Sequence, residues 1–235
     1  MTTTLVLVHG AGCNRHFFDE LVGHLDGVAA LALDLPGRGA APSPPARTVS
    51  EAATFVARTL RDEGIERAVV LGHSFGGAAA IELALTSPES VRGLVLVSTG
   101  ARLRVHPAIL AAMQQAAEQG TPADSLLPWL PGTDRAVVER VERHLRDVPP
   151  ATTLADWRAA DAFDRMTELA RITVPALVVG GTSDPLTPPK YATYLADHLP
   201  DARLRLLEGA GHMLPVEHAR ELAVEVTAFV EALSR

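Results

Sequence analysis

The sequence predicts an α/β fold in which helices flank a mainly parallel, six-stranded sheet. Two observations support this fold class: short apolar runs recur along the chain, and segments with helical patterns lie between them. Most runs are continuously apolar, as is typical of parallel strands that are buried on both faces. The runs predicted as strands are Leu5–Val8, Ala29–Leu33, Ala68–Leu71, Gly93–Val97, Ala176–Val179 and Leu204–Leu207. The last run alternates with arginines, so we expect it near an edge of the sheet.

Two of the flanking helices carry clear sequence signals. Thr48 and Glu51 form a capping box, which predicts a helix that runs to about Arg61 and stops at Gly64. Near the C-terminal end of the sequence, apolar residues share one face of a helical pattern and glutamates lie elsewhere. The apolar positions are Leu222, Val226, Phe229, Val230 and Leu233.

Residues 101–168 interrupt the alternation of strands and helices. We predict one core, formed by residues 1–100 and 169–235, with 101–168 as a helical insert. Two interpretations of the insert remain open: a lid, or cap, over a functional site, or a helical layer that only pads the fold. Its helix signals run from Pro107 to Gln119 with Gly120 after them, from Thr133 to Arg146, and from Leu154 to Phe163.

Composition and charge narrow the class of protein. The 235 residues suffice for one domain, and 47% of them are hydrophobic, enough for a sizeable core. A net charge of −7 without a basic block argues against nucleic acid or an anionic membrane surface as the partner. A single cysteine, Cys13, excludes an internal disulfide framework. The sequence shows no signal peptide and no membrane span, so we expect a soluble, cytoplasmic protein.

The most informative motif is Gly72-His73-Ser74-Phe75-Gly76, which joins a predicted strand to an alanine-rich helical run. A G-x-S-x-G pattern at such a junction is typical of a nucleophile elbow. The serine occupies a strained turn, and glycines on both sides avoid clashes with its backbone. The turn exposes Ser74 Oγ and places the N–H of Phe75 at a helix N-terminus. Acyl transfer needs this combination of a nucleophile and an oxyanion donor.

A serine nucleophile needs a base, and the base needs an orienting carboxylate. Asp184 follows the fifth predicted strand, and His212 follows the sixth in a loop with two glycines. Both lie beyond the carboxyl ends of strands, and the order serine, acid, histidine fits the elbow. Taken singly, Asp184 could be a turn residue and His212 a surface histidine. Together with Ser74 they predict a catalytic triad.

The sequence shows no site for a metal or a nucleotide cofactor, and we predict neither. It lacks an H-E-x-x-H motif, a cysteine pair, a P-loop, and a G-x-G-x-x-G that follows a strand. Two other histidines lie near the motifs. We interpret His9, which precedes the serine, as a residue that holds its loop, and we expect His73 of the elbow to point under the sheet.

Several motifs together resemble the α/β-hydrolase superfamily, and in particular small lidded serine carboxylesterases. The resemblance covers essentially the whole chain, and it implies the α/β-hydrolase fold. It also implies an oxyanion hole formed by the N–H groups of Ala11 and Phe75, and a buried, non-catalytic Asp34. The motifs are His9-Gly10, Asp34-Leu35-Pro36-Gly37-Arg38-Gly39, the elbow, the Asp184 loop and Gly211-His212.

The chain departs from the family pattern in two places. It starts directly on the His-Gly strand, without the antiparallel strand pair that is common in the family, so all six strands should be parallel. Some relatives carry the acid after the strand that follows the elbow helix. Here that place holds Ser98, Thr99 and Gly100, which leaves Asp184 as the acid.

The expected function is hydrolysis of small carboxylic esters through an acyl-enzyme, with a small-molecule ester as the substrate. Family members that act as haloalkane dehalogenases or epoxide hydrolases carry aspartate at the elbow, so the serine argues against both activities. Two alternatives stay open. The same triad could act on enol-lactones, thioesters or C–C bonds or in a lyase step, or the chain could be a weakly catalytic ligand receptor. The oligomeric state cannot be derived from the sequence.

Candidate substrate contacts are apolar, although each is also a plausible core residue. Candidates for the pocket wall are Phe17, Trp129, Trp157 and Leu186. A pocket without a basic clamp favours a small, mostly neutral ester. Three arginines could bind a carboxylate if the fold turned one of them inward: Arg15, Arg38 and Arg102.

Overall fold

The computed structural model describes residues 3–122 and 134–234. Within them, six strands form one sheet in the order β2-β1-β3-β4-β5-β6, and every neighbouring pair is parallel. The predicted six-stranded parallel sheet is therefore confirmed. The strands are β1 (Thr4–Val8), β2 (Ala29–Leu33), β3 (Ala68–His73), β4 (Val91–Val97), β5 (Ala176–Gly181) and β6 (Ala202–Leu207).

Helices flank the sheet, as expected of an α/β fold. In the described ranges they are α1 (Asp19–Val22), α2 (Val49–Asp62), α3 (Phe75–Thr86), α4 (Pro107–Gln119), α5 (Arg135–Arg146), α6 (Pro150–Asp161), α7 (Pro189–His198), α8 (Leu214–Glu217) and α9 (Ala219–Ser234). Thr48 caps α2 by accepting a hydrogen bond from the N–H of Glu51 at 3.1 Å, so the predicted start of this helix is correct.

The core lies in the central strands, because both faces of these strands are covered. All residues of β3 and β5 are buried, whereas β6 at the edge of the sheet exposes Leu204 and Leu206. The predicted edge position of β6 is thus confirmed. Parallel strands present their carboxyl ends at one edge of the sheet, and β1, β3, β5 and β6 each lead there into a loop that carries a candidate site residue.

Between β4 and β5 the described residues contain three helices, α4 to α6, which match the predicted helical insert. The bounds predicted for α4 are correct, and Gly120 follows it with a φ of 65°. The predicted start of α6 at Leu154 is wrong, because the helix begins at Pro150. Proline suits the first turn of a helix, where its missing N–H would have no partner. Trp129 and Thr133 lie outside the described residues.

None of the helices in the described parts of the chain has both the length and the apolar composition that crossing a lipid bilayer requires.

Candidate active site

Ser74 stands alone between β3 and α3 in a strained backbone conformation. Its φ of 51° and ψ of −116° lie outside the regions that side chains other than glycine favour. A Cβ at Gly72 would overlap the carbonyl group of Gly76, and a Cβ at Gly76 would overlap the carbonyl oxygen of Val8. The two glycines therefore make the turn sterically possible, and their spacing in the sequence has a direct physical cause.

The neighbouring strand holds the backbone of Ser74. The N–H of Ser74 donates to the carbonyl oxygen of Val97 at 2.9 Å, and the carbonyl oxygen of Ser74 accepts from the hydroxyl of Thr99 at 2.7 Å. Strained conformations persist only where such contacts fix them, and they are common at functional sites.

Asp184 and His212 are hydrogen-bonded to each other at the carboxyl ends of β5 and β6. Nδ1 of His212 lies 2.8 Å from Oδ2 of Asp184, and both side chains are buried. The same oxygen accepts from the hydroxyl of Thr187 at 2.7 Å. Oδ1 accepts from the N–H groups of Leu186 and Thr187 at 2.8 and 2.9 Å. An ionised carboxylate can only accept hydrogen bonds. Nδ1 of His212 therefore carries a proton, and Nε2 is left to accept one.

Opposing effects act on the pKa of Asp184. Burial raises the pKa, but the charge of His212 and the hydrogen bonds from His212 and Thr187 together lower it by a larger amount. The net result is a pKa below the ordinary value for aspartate. The carboxylate is therefore ionised at neutral pH, which is the state that orients an imidazole and stabilises its protonated form.

The loop that carries His212 is fixed by two residues that the sequence analysis did not single out for this role. Glu217 accepts from the N–H groups of Gly211 and Met213 at 2.8 and 2.7 Å. Nε2 of His73 donates to the carbonyl oxygen of His212 at 2.9 Å, and the two imidazole rings lie 5.0 Å apart. This contact adds a positioning role for His73, which was expected to point under the sheet. Burial and the nearby charge of His212 lower the pKa of His73 to about 3, so it is neutral.

A cavity of about 560 Å³ brings the predicted site residues together. Ser74 and His212 both line it, as do Ala11 and Phe75, whose N–H groups are the predicted oxyanion donors. Phe75 is the first residue of α3, where backbone N–H groups have no intrahelical partner.

The candidate substrate contacts fall into three groups. Trp157 and Leu186 line the cavity. Phe17 does not line it: its side chain is 1% exposed and packs against the rings of Phe18 and His73, so it belongs to the core behind the site. Trp129 lies outside the described residues.

The loop after β1 carries Ala11, and several hydrogen bonds fix the shape of this loop. The N–H of Cys13 donates to the carbonyl oxygen of Gly10 at 3.2 Å, which closes a turn around Ala11. His9 accepts from the N–H of Leu35 at 3.1 Å and thereby ties this loop to the one after β2. In that second loop Asp34 is buried and accepts two backbone N–H groups, which fits a structural role.

A buried ion pair joins the loop after β2, which carries Arg38, to helix α6. The guanidinium of Arg38 contacts both carboxylate oxygens of Asp156, at 2.7 and 2.8 Å, and the two side chains are 1% and 0% exposed. Oδ2 of Asp156 also accepts from the N–H of Gly12 at 2.9 Å, and Arg38 donates to the carbonyl oxygen of Cys13 at 2.9 Å. The residue after Ala11 is therefore anchored to the helix that carries Trp157.

The arginines that were candidates for binding a carboxylate are engaged elsewhere. Arg38 pairs with Asp156, Arg15 lies 3.7 Å from Asp34, and Arg102 lies 3.7 Å from Asp164. The cavity is instead lined by two cations that the sequence analysis missed, Arg104 and Lys190. For Lys190 a signal existed, because it is the only lysine of the chain and follows Asp184 by six residues.

Other chemistry-bearing groups near the site have structural surroundings. Burial raises the pKa of the Cys13 thiol to about 12, so this side chain is a protonated, apolar component of the core. Within residues 3–122 and 134–234, no group of three or more His, Cys, Asp or Glu side chains is arranged to hold a metal ion.

Known proteins of similar sequence are named as hydrolases. A pimeloyl-[acyl-carrier protein] methyl ester esterase of Neisseria meningitidis serogroup C is 33% identical over 97% of this chain and 93% of its own length. A putative carbamate hydrolase RutD of Azorhizobium caulinodans is 34% identical over 71% of this chain and 67% of its own length.

The fold also has solved counterparts. The crystal structure of the enol-lactonase from Burkholderia xenovorans LB400 superposes with a TM-score of 0.89 at 24% identity, over 98% of this chain and 92% of that one. The model of the Alpha/beta hydrolase family matches residues 5–226. The chain therefore belongs to the alpha/beta hydrolase family, and it is an enzyme of the hydrolase type.

Proposed function

We propose that the protein hydrolyses small carboxylic esters through an acyl-enzyme formed on Ser74. The observation that carries this proposal is the hydrogen-bonded pair of Asp184 and His212 on the wall of a cavity that Ser74 also lines. A strained serine, a histidine with its acceptor nitrogen free, and an ionised carboxylate are the three parts that serine acyl transfer requires.

In the first half of the reaction, Ser74 Oγ attacks the ester carbonyl while Nε2 of His212 takes the hydroxyl proton. Asp184 holds the imidazole and stabilises its positive charge. The tetrahedral intermediate then collapses, the C–O bond to the alcohol breaks, and His212 returns the proton to the leaving oxygen. In the second half, water gives a proton to His212 and attacks the acyl carbon. The bond to Ser74 Oγ then breaks, the carboxylic acid leaves, and His212 returns the proton to Ser74 Oγ.

The N–H groups of Ala11 and Phe75 are proposed to bind the oxyanion in both halves. Support comes from their position on the cavity wall beside Ser74 and from the anchoring of the neighbouring Gly12 by Asp156. Removing one donor from an oxyanion hole typically costs about 3 kcal/mol of transition-state stabilisation. A preorganised loop is needed because the donors must already face the oxygen when its charge develops.

We further propose that residues 101–168 act as a lid on a core of residues 1–100 and 169–235. Trp157 and Ala160 of α6 line the cavity, so the insert contributes to the wall above the serine. The proposal includes a small-molecule ester as partner, no cofactor, no nucleic acid, no membrane and a cytoplasmic location. The net charge of −7 argues against nucleic acid and an anionic membrane surface, and the single cysteine supports the cytoplasmic location.

The same constellation can attack other acyl bonds, so the bond class needs a direct test. We expect multiple turnovers on short p-nitrophenyl and methyl esters, with smaller kcat/KM on a thioester, an enol-lactone and a carbamate of matched size. Ser74→Ala should reduce the ester rate by at least about 10³-fold, because the covalent step is lost. The measurement is initial-rate kinetics on this panel for both proteins.

Ser87→Ala is the matched control, since Ser87 caps the opposite end of α3 and does not line the cavity. Retention of most of the ester activity in Ser74→Ala would remove this serine from the mechanism. A single slow turnover with tight product retention would favour a ligand receptor instead of an enzyme.

A further inference from the structure

The cavity beside Ser74 has a charge pattern that differs from that of the whole chain. The sequence contains 28 acidic and 21 basic residues, which gives a net charge of −7. Yet among the described residues that line this cavity there is no aspartate or glutamate, whereas Arg104 and Lys190 both line it. An acidic protein thus presents a basic surface at its reaction cavity. Cavities lined by one sign of charge concentrate ligands of the opposite sign.

Lys190 is the central residue of this pattern. It is the only lysine of the chain, beside 20 arginines. It is exposed, and its ammonium lies 6.0 Å from the ring centre of Tyr191, which also lines the cavity. In the described structure no carboxylate forms a salt bridge with it. A lysine ammonium is a compact point charge on a flexible stem, which suits an anionic ligand that varies in position.

Lys190 follows closely after the loop that carries Asp184. It belongs to the first turn of α7, which follows the loop of Asp184, and Leu186, Thr187 and Pro188 of that loop line the cavity before it. Arg104 lies on the segment that enters the helical insert and donates to the carbonyl oxygen of Asp161 at 3.4 Å. Arg104 and Lys190 are both exposed and line the same cavity, so two cations from different segments lie at its mouth.

We propose that the natural substrate is an ester that carries a carboxylate away from the reacting carbonyl, and that Lys190 binds this carboxylate at the mouth of the cavity. This inference rests on the proposed function, because it names the substrate class of the same site. It replaces the sequence-based expectation of a mostly neutral ester. Apolar contacts from Trp157 and Leu186 hold the middle of the substrate, and Arg104 adds positive potential at the mouth.

Two pairs of esters test the charge preference, each with a neutral twin. Monomethyl glutarate is compared with methyl valerate, which places the carboxylate on the acyl part. Acetoxyacetate is compared with ethyl acetate, which places it on the alcohol part. We expect at least one charged ester to have a kcat/KM about twofold to fivefold above that of its twin, the size typical of one exposed ion pair.

Variants show whether Lys190 causes the preference. The ratio of kcat/KM between charged and neutral twin should fall to near one in Lys190→Gln and should be largely retained in Lys190→Arg. Arg220→Gln is the matched control, because it removes the same charge from an exposed site that does not line the cavity. Added salt should reduce the ratio in the wild type, since the pair is exposed to solvent.

A binding measurement separates this inference from the proposed function. Reductive ¹³C-methylation labels Lys190 and the α-amino group and preserves both charges, so NMR of labelled Ser74→Ala gives one lysine signal and one reference signal. We expect glutarate to shift the lysine signal saturably, and neutral glutaramide at equal ionic strength to leave it unchanged.

The outcomes are distinguishable. Turnover of neutral and charged esters at equal kcat/KM, without a shift of the lysine signal, overturns the carboxylate site and leaves the esterase proposal intact. A saturable shift with no ester turned over by the wild type overturns the esterase proposal and supports the anion site.

Discussion

Asp184→Asn is expected to lower kcat about 10⁴-fold without unfolding the protein. Oδ1 of Asp184 accepts two backbone N–H groups, those of Leu186 and Thr187. An amide nitrogen cannot accept a hydrogen bond, so the oxygen of asparagine must take this position. Its NH₂ group must then take the place of Oδ2, which now lies 2.8 Å from Nδ1 of His212.

The consequence is the wrong tautomer of the base. A donor in place of Oδ2 makes Nδ1 of His212 the acceptor and leaves the proton on Nε2. Nε2 then cannot take the proton of Ser74. The hydroxyl of Thr187, which donates to Oδ2 at 2.7 Å, can rotate and accept instead, so the substitution is compatible with the fold.

Steady-state kinetics on a short p-nitrophenyl ester measure this effect. Asp197→Asn is the control, because Asp197 is exposed on α7 and the same charge is removed. A kcat within tenfold of the wild type in Asp184→Asn would show that this carboxylate does not orient the base.

The pKa of Asp184 also predicts a pH dependence of stability. Its folded-state pKa lies below the unfolded value, near 3.9 for aspartate. The ionised group therefore stabilises the fold above that pH, and the contribution is lost as the pH falls through the folded-state pKa. Below about pH 4, the wild type should lose stability more steeply than Asp184→Asn in urea unfolding at successive pH values.

Asp156→Ala is expected to lower the free energy of unfolding by about 3–5 kcal/mol. The substitution leaves the guanidinium of Arg38, which is 1% exposed, without its counter-charge. It also removes the acceptor of the Gly12 N–H. In thermal unfolding, a loss of this size lowers Tm by roughly 10 °C for a chain of this length.

Two controls define the cause. Glu139→Ala breaks the exposed pair with Arg135, whose side chains are 91% and 61% exposed, and should change stability by less than about 1 kcal/mol. The double variant Arg38→Met with Asp156→Leu replaces the buried pair by apolar side chains of similar size and should recover most of the lost stability. An equal destabilisation by Glu139→Ala and Asp156→Ala would contradict the account of the buried pair.

The double variant also separates stability from positioning. It restores apolar packing between the loop after β2 and α6, but nothing replaces the acceptor of the Gly12 N–H. If Asp156 positions Ala11 for the oxyanion, kcat should stay low after stability has returned, with KM changed less.

Local patterns in the sequence were sufficient to predict the sheet, the elbow and the order of the candidate catalytic residues. Each depends on neighbouring residues: apolar runs for the strands, and two glycines that remove a steric overlap around Ser74. The start of α6 was placed four residues late, at Leu154, although Pro150 occupies the first turn, where proline is tolerated.

The contacts that could not be predicted join residues far apart in the sequence. Arg38 and Asp156 are separated by 118 positions, and no local signal pairs them. Glu217 was missed for a different reason: its contacts with the N–H groups of Gly211 and Met213 span only six and four positions, but no motif marks a glutamate at this place. Which arginine faces the cavity also depends on tertiary packing, so Arg102 was considered and Arg104 was missed.

The central claim is that Ser74 becomes the nucleophile because His212 takes its proton. Labelling with a fluorophosphonate, followed by peptide mass spectrometry, tests this most directly, since the reagent reacts far faster with an activated serine hydroxyl than with an ordinary one. We predict one adduct per chain, located on Ser74, and labelling at least about 10³-fold slower in His212→Ala. An adduct on another residue, or equal labelling rates in His212→Ala and the wild type, would contradict the account.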